Sequence, residues 1–210
     1  TVLEQGNDIA FFSCENYEVK DILIPIVSNA LEKGYSIKDI QVLAPMYGGV
    51  AGIDALNNTL QKVLNPQDGY KDEIKVGYRV FRVGDKILQL KNQPDENVYN
   101  GDIGEIIAIE YADENALYKN VILADFDGNF VEYSGEQISN ITHAYCISIH
   151  KAQGSEYPIV IMPVVKDYAF MLSKRLLYTG VTRAKKSLVL LGSKEVFLKY
   201  IHLQERHIRK

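Results

Sequence analysis

Residues Ala144–Pro158 read AYCISIHKAQGSEYP. The stretch begins as an apolar run, turns polar at Ser148, and sets His150, Lys151, Gln153, Gly154 and Glu156 within seven residues. A short apolar run that ends in polar groups and a glycine has the pattern of a buried strand delivering a loop to a site. In open parallel sheets ligands bind beyond the carboxyl ends of the strands, which is where this loop is expected to lie. Ser148 and His150 carry donors suited to phosphate oxygens, and Lys151 adds a positive charge. Gly154 permits close backbone approach, and Glu156 can accept from sugar hydroxyls. A polar surface loop with a satisfied histidine has the same composition, so the rest of the chain must decide between the two.

Upstream, the pattern is one of strands alternating with helices. Ile9–Cys14 reads as a short buried strand. Asn16 is a candidate cap for a helix with Val19, Ile22, Leu23, Ile26, Val27, Ala30 and Leu31 on one stripe, stopped by Gly34. Pro25 within it predicts a kink or a loss of continuity. Ile40–Ala44 is a second strand, and a helix follows from Ile53 to Leu64. Between them lies PMYGGVAG, at the place of a phosphate-cradling loop but with neither G-x-G-x-x-G spacing nor a Lys-Ser/Thr pair. It reads equally as a tight turn approached by a ligand and as a plain structural turn. No Walker A motif occurs anywhere in the 210 residues.

From Ile74 to Ile138 the grammar changes to short strands: Lys86–Leu90, Ile103–Tyr111, Val121–Phe126 and Phe130–Tyr133. Asp127-Gly128 between two of them is a hairpin signal, which outweighs any calcium-loop reading of Asp125–Asn129. These residues predict a small β-barrel, 74–138, inserted into an α/β domain made of 1–73 plus 139–210. After the insert come strands at Ile141–Ile149 and Pro158–Val165, a helix at Ser173–Lys185, a strand at Ser187–Leu191 and a helix at Glu195–Leu203. The fold class is therefore α/β with parallel strands. His202 and His207 on the last helix read as solvated.

The downstream stretch Leu176–Leu188, LLYTGVTRAKKSL, supplies a second signal. On a helix, Leu177, Val181 and Ala184 form a buried stripe with Leu176 and Gly180 beside it, and Arg183 projects from its margin. An arginine anchored at its stem offers a fixed fork to phosphate, the arrangement of an arginine finger. Lys185 and Lys186 read as ordinary solvated lysines.

Composition is that of a globular chain, 47% hydrophobic, with no apolar run long enough for a membrane helix. A net charge of −4 argues against a polyanion binder, but the charge is unevenly placed. Residues 1–140 hold 11 Lys+Arg against 23 Asp+Glu, whereas residues 141–210 hold 12 against 4. A basic face on the last third suits DNA or a nucleotide; a solvated basic helix is the plainer reading. Cys14 and Cys146 lie far apart in apolar runs and form no metal or disulfide pattern, which fits a reduced, cytoplasmic setting. A first residue of Thr instead of Met leads us to expect a processed or excised polypeptide.

SIHKAQGSEYP followed by LLYTGVTRAKK resembles motifs V and VI of superfamily 1 DNA helicases. VLAPMYGGVAGIDALNNTLQKVLNP resembles the motif IV region of their RecD-like branch, and VGDKILQLKNQPDENVYNGDIGEI the start of its SH3-like barrel. The similarity is greatest to stand-alone RecD-type helicases, related to the exodeoxyribonuclease V alpha chain. It implies a RecA-like domain 2A interrupted by an SH3-like domain 2B. By the same resemblance Ser148 and His150, with Lys151 beside them, contact single-stranded DNA. Gly154 and Glu156 line the nucleotide, and Arg183 is the finger. It further implies ATP and Mg2+ as cofactors of the full-length protein, none tightly held by this chain, and single-stranded DNA as partner. The Walker motifs would belong to a preceding RecA-like domain 1A. One departure stands out: Gly48 occupies the place of a basic residue that usually follows Met-Tyr in motif IV. A non-enzymatic nucleic-acid or protein-binding module is the alternative, and a dinucleotide-binding enzyme built on PMYGGVAG fails on glycine spacing.

Overall fold

The computed structural model describes residues 8–113 and 119–199. The chain divides into two compact units, Thr1–Leu60 with Tyr145–Lys210, and Gln61–Ala144. The second unit thus takes in more chain at each end than the 74–138 read from the sequence.

The first strand, β1 (Ile9–Ser13), lies at a sheet edge and leaves Ile9 and Phe12 exposed, so it is not the buried strand expected. The next helix, α1 (Val19–Glu32), is entered through a 3-10 turn at Asn16–Glu18. Glu15, not Asn16, occupies the cap position, in a reciprocal capping box with Glu18. Helix α1 runs without a break through Pro25 and buries Val19, Leu23, Val27 and Ala30. Its end is a Schellman motif: Gly34 adopts φ 94°, its N–H donates to Leu31 O, and that of Tyr35 to Ala30 O. Strand β2 (Ile40–Ala44) is buried at every residue, and α2 (Ile53–Leu64) follows where the sequence placed it.

Among the described residues seven strands then build the second unit: β3 (Glu73–Val76), β4 (Arg79–Arg82), β5 (Lys86–Gln89), β6 (Ile103–Glu110), β7 (Val121–Phe126), β8 (Asn129–Ser134) and β9 (Ile141–His143). β3 and β4 form a hairpin, and the others an antiparallel sheet in the order β8-β7-β6-β5-β9. Asp127 and Gly128 both have positive φ, 51° and 90°, as a two-residue type I′ turn requires. Ile87, Ile106, Ile122, Val131, Tyr133 and Ile141 lie in its core.

A polar knot closes this unit. The carboxylate of Asp85, fully buried, accepts from Arg82 N–H and Gln61 Nε2 at 2.8 Å each and from Asn65 Nδ2 at 2.9 Å. His143 Nε2 lies 3.2 Å from the same carboxylate, and its ring stacks on Phe81. A carboxylate so deep is tolerable only with its oxygens saturated in this way.

The strand expected at Ile141–Ile149 is two strands. Ala144 N–H donates to Lys86 O, whereas Tyr145 O accepts from Val42 N–H, so the chain changes partner between adjacent residues. Strand β10 (Cys146–Ser148) therefore belongs to the first unit's sheet, together with β11 (Tyr157–Val164) and β12 (Ala184–Gly192). That sheet is wholly parallel, in the order β1-β12-β11-β2-β10. Helix α3 (Lys174–Val181) is capped by Ser173, whose Oγ accepts from Leu176 N–H at 3.0 Å. It stops four residues short of the Lys185 expected, because Tyr157 N–H takes the Arg183 carbonyl and β12 starts at Ala184. The chain is helical again over 194–199; the remainder of the last expected helix, with His202 and His207, lies outside the described residues. No helix among the described residues is long and apolar enough to cross a membrane.

Candidate functional site

The loops after β2 and β10 leave the sheet side by side, because Ser148 pairs with Ala44 in register. In the first, Gly49 takes φ 87°, and a Cβ on Gly52 would lie 2.1 Å from the Gly48 carbonyl oxygen. The loop folds back over α2: Met46 O accepts from Ile53 N–H, and Tyr47 O from Asp54 N–H. Two donors that a helix start usually offers to an anion are thus already used. The geometry accounts for PMYGGVAG as a structural turn. At Gly48 the surrounding space is open.

The loop after β10 is a compact series of turns over 149–154. Ser148, nearly buried, accepts the Lys151 N–H on Oγ at 3.2 Å, leaving its own hydroxyl proton to donate. Ala152 N–H bonds Ser148 O, Gln153 N–H bonds His150 O, and Ser155 N–H bonds Ala152 O. Gly154 reverses the chain at φ 85° with no neighbour within 4 Å of a Cβ position. His150, Gly154 and Glu156 are exposed, and Lys151 is half-buried.

This loop does not stay at the carboxyl ends, as expected. β11 is parallel to β10, so the chain must return to the other end of the sheet before it can begin. Ser148 lies level with Ala44, whereas Tyr157 lies level with Ala184, beyond the Ile159–Ile40 pair. The loop therefore descends about six residues of strand, roughly 20 Å. Ser148 and His150 are left near the carboxyl ends, while Ser155 and Glu156 arrive at the amino ends.

Arg183 stands at those amino ends, just past α3 instead of on it. Its Nε donates to Thr179 O at 3.1 Å, Nη1 to Ser155 O at 3.0 Å, and Nη2 to Thr182 Oγ1 at 3.2 Å. Placing a cation on the last carbonyls of a helix is favourable on dipole grounds as well. The helix behind it sits close to the sheet, since a Cβ on Gly180 would lie 2.6 Å from Met162 Sδ and 3.6 Å from Ile149 Cγ2. Burial pushes the Tyr157 phenol up, opposed by a Ser155 hydrogen bond and the Arg183 charge. Lys185 and Lys186 are exposed. Among the described residues no group of three or more His, Cys, Asp or Glu could hold a metal ion.

One residue of this assembly was not singled out from the sequence. Asn57, 6% exposed on α2, accepts from Cys146 N–H at 2.8 Å and donates to Cys146 O at 2.9 Å. Its signal was the amide spacing Asn57, Gln61, Asn65, one face of a helix at i, i+4 and i+8.

Comparison with known proteins finds helicase relatives. Residues 56–122 match the family described as the ATP-dependent RecD-like DNA helicase SH3 domain, and residues 143–191 the UvrD-like helicase C-terminal domain. The chain is 35% identical over 154 residues to the ATP-dependent RecD2 DNA helicase of Deinococcus radiodurans, covering 73% of this chain and 20% of that protein. It is 28% identical over 200 residues to the RecBCD enzyme subunit RecD of Buchnera aphidicola, covering 90% of this chain and 30% of that one. It thus spans less than a third of the length of either relative. In fold, it is similar to Bacteroides Pif1 bound to ssDNA, with a TM-score of 0.51 at 15% identity over 80% of this chain and 46% of Pif1. The chain thus carries one region that matches the RecD-like helicase SH3 domain and one that matches the UvrD-like helicase C-terminal domain, and it is similar to RecD-type helicases over part of their length.

Proposed function

We propose that this chain supplies one wall of the ATP cleft and part of the DNA track of an ATP-dependent 5′→3′ DNA helicase. The unit of Thr1–Leu60 with Tyr145–Lys210 acts as domain 2A and the unit Gln61–Ala144 as domain 2B. ATP with Mg2+ binds between domain 2A and a RecA-like domain 1A that carries the Walker motifs. The observation that carries this reading is the bond from Arg183 to the Ser155 carbonyl, which fixes the motif VI arginine on the motif V loop. A guanidinium has five N–H donors; three are used here, and the rest serve the γ-phosphate as it leaves. Gly154 and Glu156 adjoin the nucleotide at that end of the sheet.

At the other end, Ser148 offers its hydroxyl proton and His150 its ring to the phosphates of single-stranded DNA, with Lys151 adding charge. The relatives named as DNA helicases, and a Pif1 solved with ADP-AlF3 and ssDNA, support both ligands. Hydrolysis at one end would be relayed to the DNA grip at the other through the loop's own backbone.

The test is to purify the 210-residue chain and measure both activities. It should bind a labelled deoxythymidine oligomer, with affinity falling steeply as salt rises, and it should hydrolyse no ATP. ATP turnover by this chain alone, or a lack of any DNA binding at low salt, would overturn the reading.

A further inference from the structure

We propose that Asn57 is a positioning residue for single-stranded DNA binding: its side-chain amide replaces the missing neighbour strand of β10. This inference rests on the DNA reading of Ser148 and His150 and names what holds them in place. Among the described residues β10 is three residues long and stands at the edge of the parallel sheet, with β2 on one side only. Its outward-facing backbone groups at Cys146 would be buried without partners, a costly state for a peptide unit. A carboxamide has the same donor and acceptor pair as a peptide group. Asn57 presents both, accepting at 2.8 Å from the Cys146 N–H and donating at 2.9 Å to its carbonyl. Helix α2, which carries Asn57, begins directly after the loop at Met46–Gly52, so the two loops at the carboxyl end are braced by one side chain. Ser148 lies two residues beyond the clamp, and its Oγ organises the turn that presents His150.

Removing the amide should free the outer edge of β10 and let Ser148 and His150 wander, while the core of the unit remains. Asn57→Leu keeps the branched outline, with a somewhat larger volume, and loses both bonds. Asn57→Asp keeps the acceptor and sets a carboxylate against the Cys146 carbonyl. Leu23→Ala, a cavity in α1 where Leu23 is fully buried, serves as the control for general destabilisation. Each variant of the 210-residue chain is checked for folding by circular dichroism and titrated with a labelled deoxythymidine oligomer. Amide exchange is read at Cys146, Ile147 and Ser148.

The inference expects Asn57→Leu and Asn57→Asp to speed exchange at Cys146 and weaken binding about tenfold, the scale of one lost buried hydrogen bond. Leu23→Ala should leave affinity unchanged despite a lower melting temperature. If folded Asn57 variants bind as the parent does while His150→Ala weakens binding, Asn57 is not a positioning residue and the DNA reading stands. If Leu23→Ala weakens binding as much as Asn57→Leu, the effect is general destabilisation and the inference fails. If His150→Ala and the Asn57 variants all bind normally, the DNA reading itself fails and takes this inference with it.

Discussion

Arg183 holds the loop after β10 at two points: its Nη1 donates to Ser155 O at 3.0 Å, and its own carbonyl accepts from Tyr157 N–H at 2.8 Å. One residue therefore fixes the last turn of the loop by side chain and by main chain. The guanidinium is held by these bonds, so on the proposed reading little of its freedom would remain to be lost on nucleotide binding.

Replacing Arg183 in the complete polypeptide should collapse ATP hydrolysis by about 10³–10⁵-fold, the usual worth of an arginine finger. DNA binding should persist, because Ser148 and His150 lie at the other end of the sheet. Arg183→Lys should recover little, since an ammonium cannot span Thr179 O, Ser155 O and a phosphate at once. Steady-state ATPase at saturating DNA decides it, and an unchanged rate would return Arg183 to a purely structural role as a helix cap.

Two of the three glycines in the loop after β2, Gly48 and Gly52, should respond in opposite ways. Space around Gly48 is open and its φ is not left-handed, so Gly48→Arg should fold normally. A basic residue there should tighten DNA binding and steepen its salt dependence by about one unit of slope. Gly52→Ala drives a Cβ onto the Gly48 carbonyl and should cost about 1–3 kcal/mol. Thermal melts and salt titrations of both variants provide the comparison.

Asp85 is the keystone of the second unit. Truncating it to Ala leaves Gln61, Asn65 and His143 without their shared acceptor. Breaking such a buried cluster from one side costs about 3–5 kcal/mol, to be read as a lower urea midpoint for the unit. A loss below about 1 kcal/mol would mean that water replaces the carboxylate at little cost.

The two thiols should report on unfolding. Burial, then the charges of Glu18 and Glu15, raise the Cys14 thiol, so at neutral pH it holds less thiolate than an ordinary cysteine. Burial raises Cys146 much further. Iodoacetamide should therefore label Cys14 slowly, at a rate climbing with pH, and reach Cys146 only when the sheet opens. Fast labelling of Cys146 in the native chain would contradict the position of β10.

Much of the fold was legible because it is written in short-range patterns. The apolar runs of β2 and β11, the 3.6-residue stripe of α1 and the Asp127-Gly128 turn each encode an element within a dozen residues. The β3–β4 hairpin was equally local, with Gly77 alone at positive φ before Tyr78, as in a type II′ turn. It was missed because Gly-Tyr is a weaker signal than Asp-Gly. Motif spacing also named the candidate side chains, from Ser148 to Glu156 and Arg183, because their donors and charges are those that phosphate contacts need.

What the sequence by itself determined is the set of elements, the change from parallel to antiparallel grammar, and the chemical groups available to a site. Tertiary structure alone decided where those groups stand. A strand-like stretch from Ile141 to Ile149 cannot reveal that the chain changes sheets at Ala144, because both partners demand the same burial. Helix periodicity could not show that α3 ends at Val181, where a strand bond from Tyr157 claims the Arg183 carbonyl. Nor could spacing show that a loop of eight residues spans a parallel sheet from end to end, separating Ser148 from Arg183 while joining Arg183 to Ser155. Those outcomes depend on hydrogen bonds between residues far apart in the chain, whose partners are chosen only once the sheet has formed.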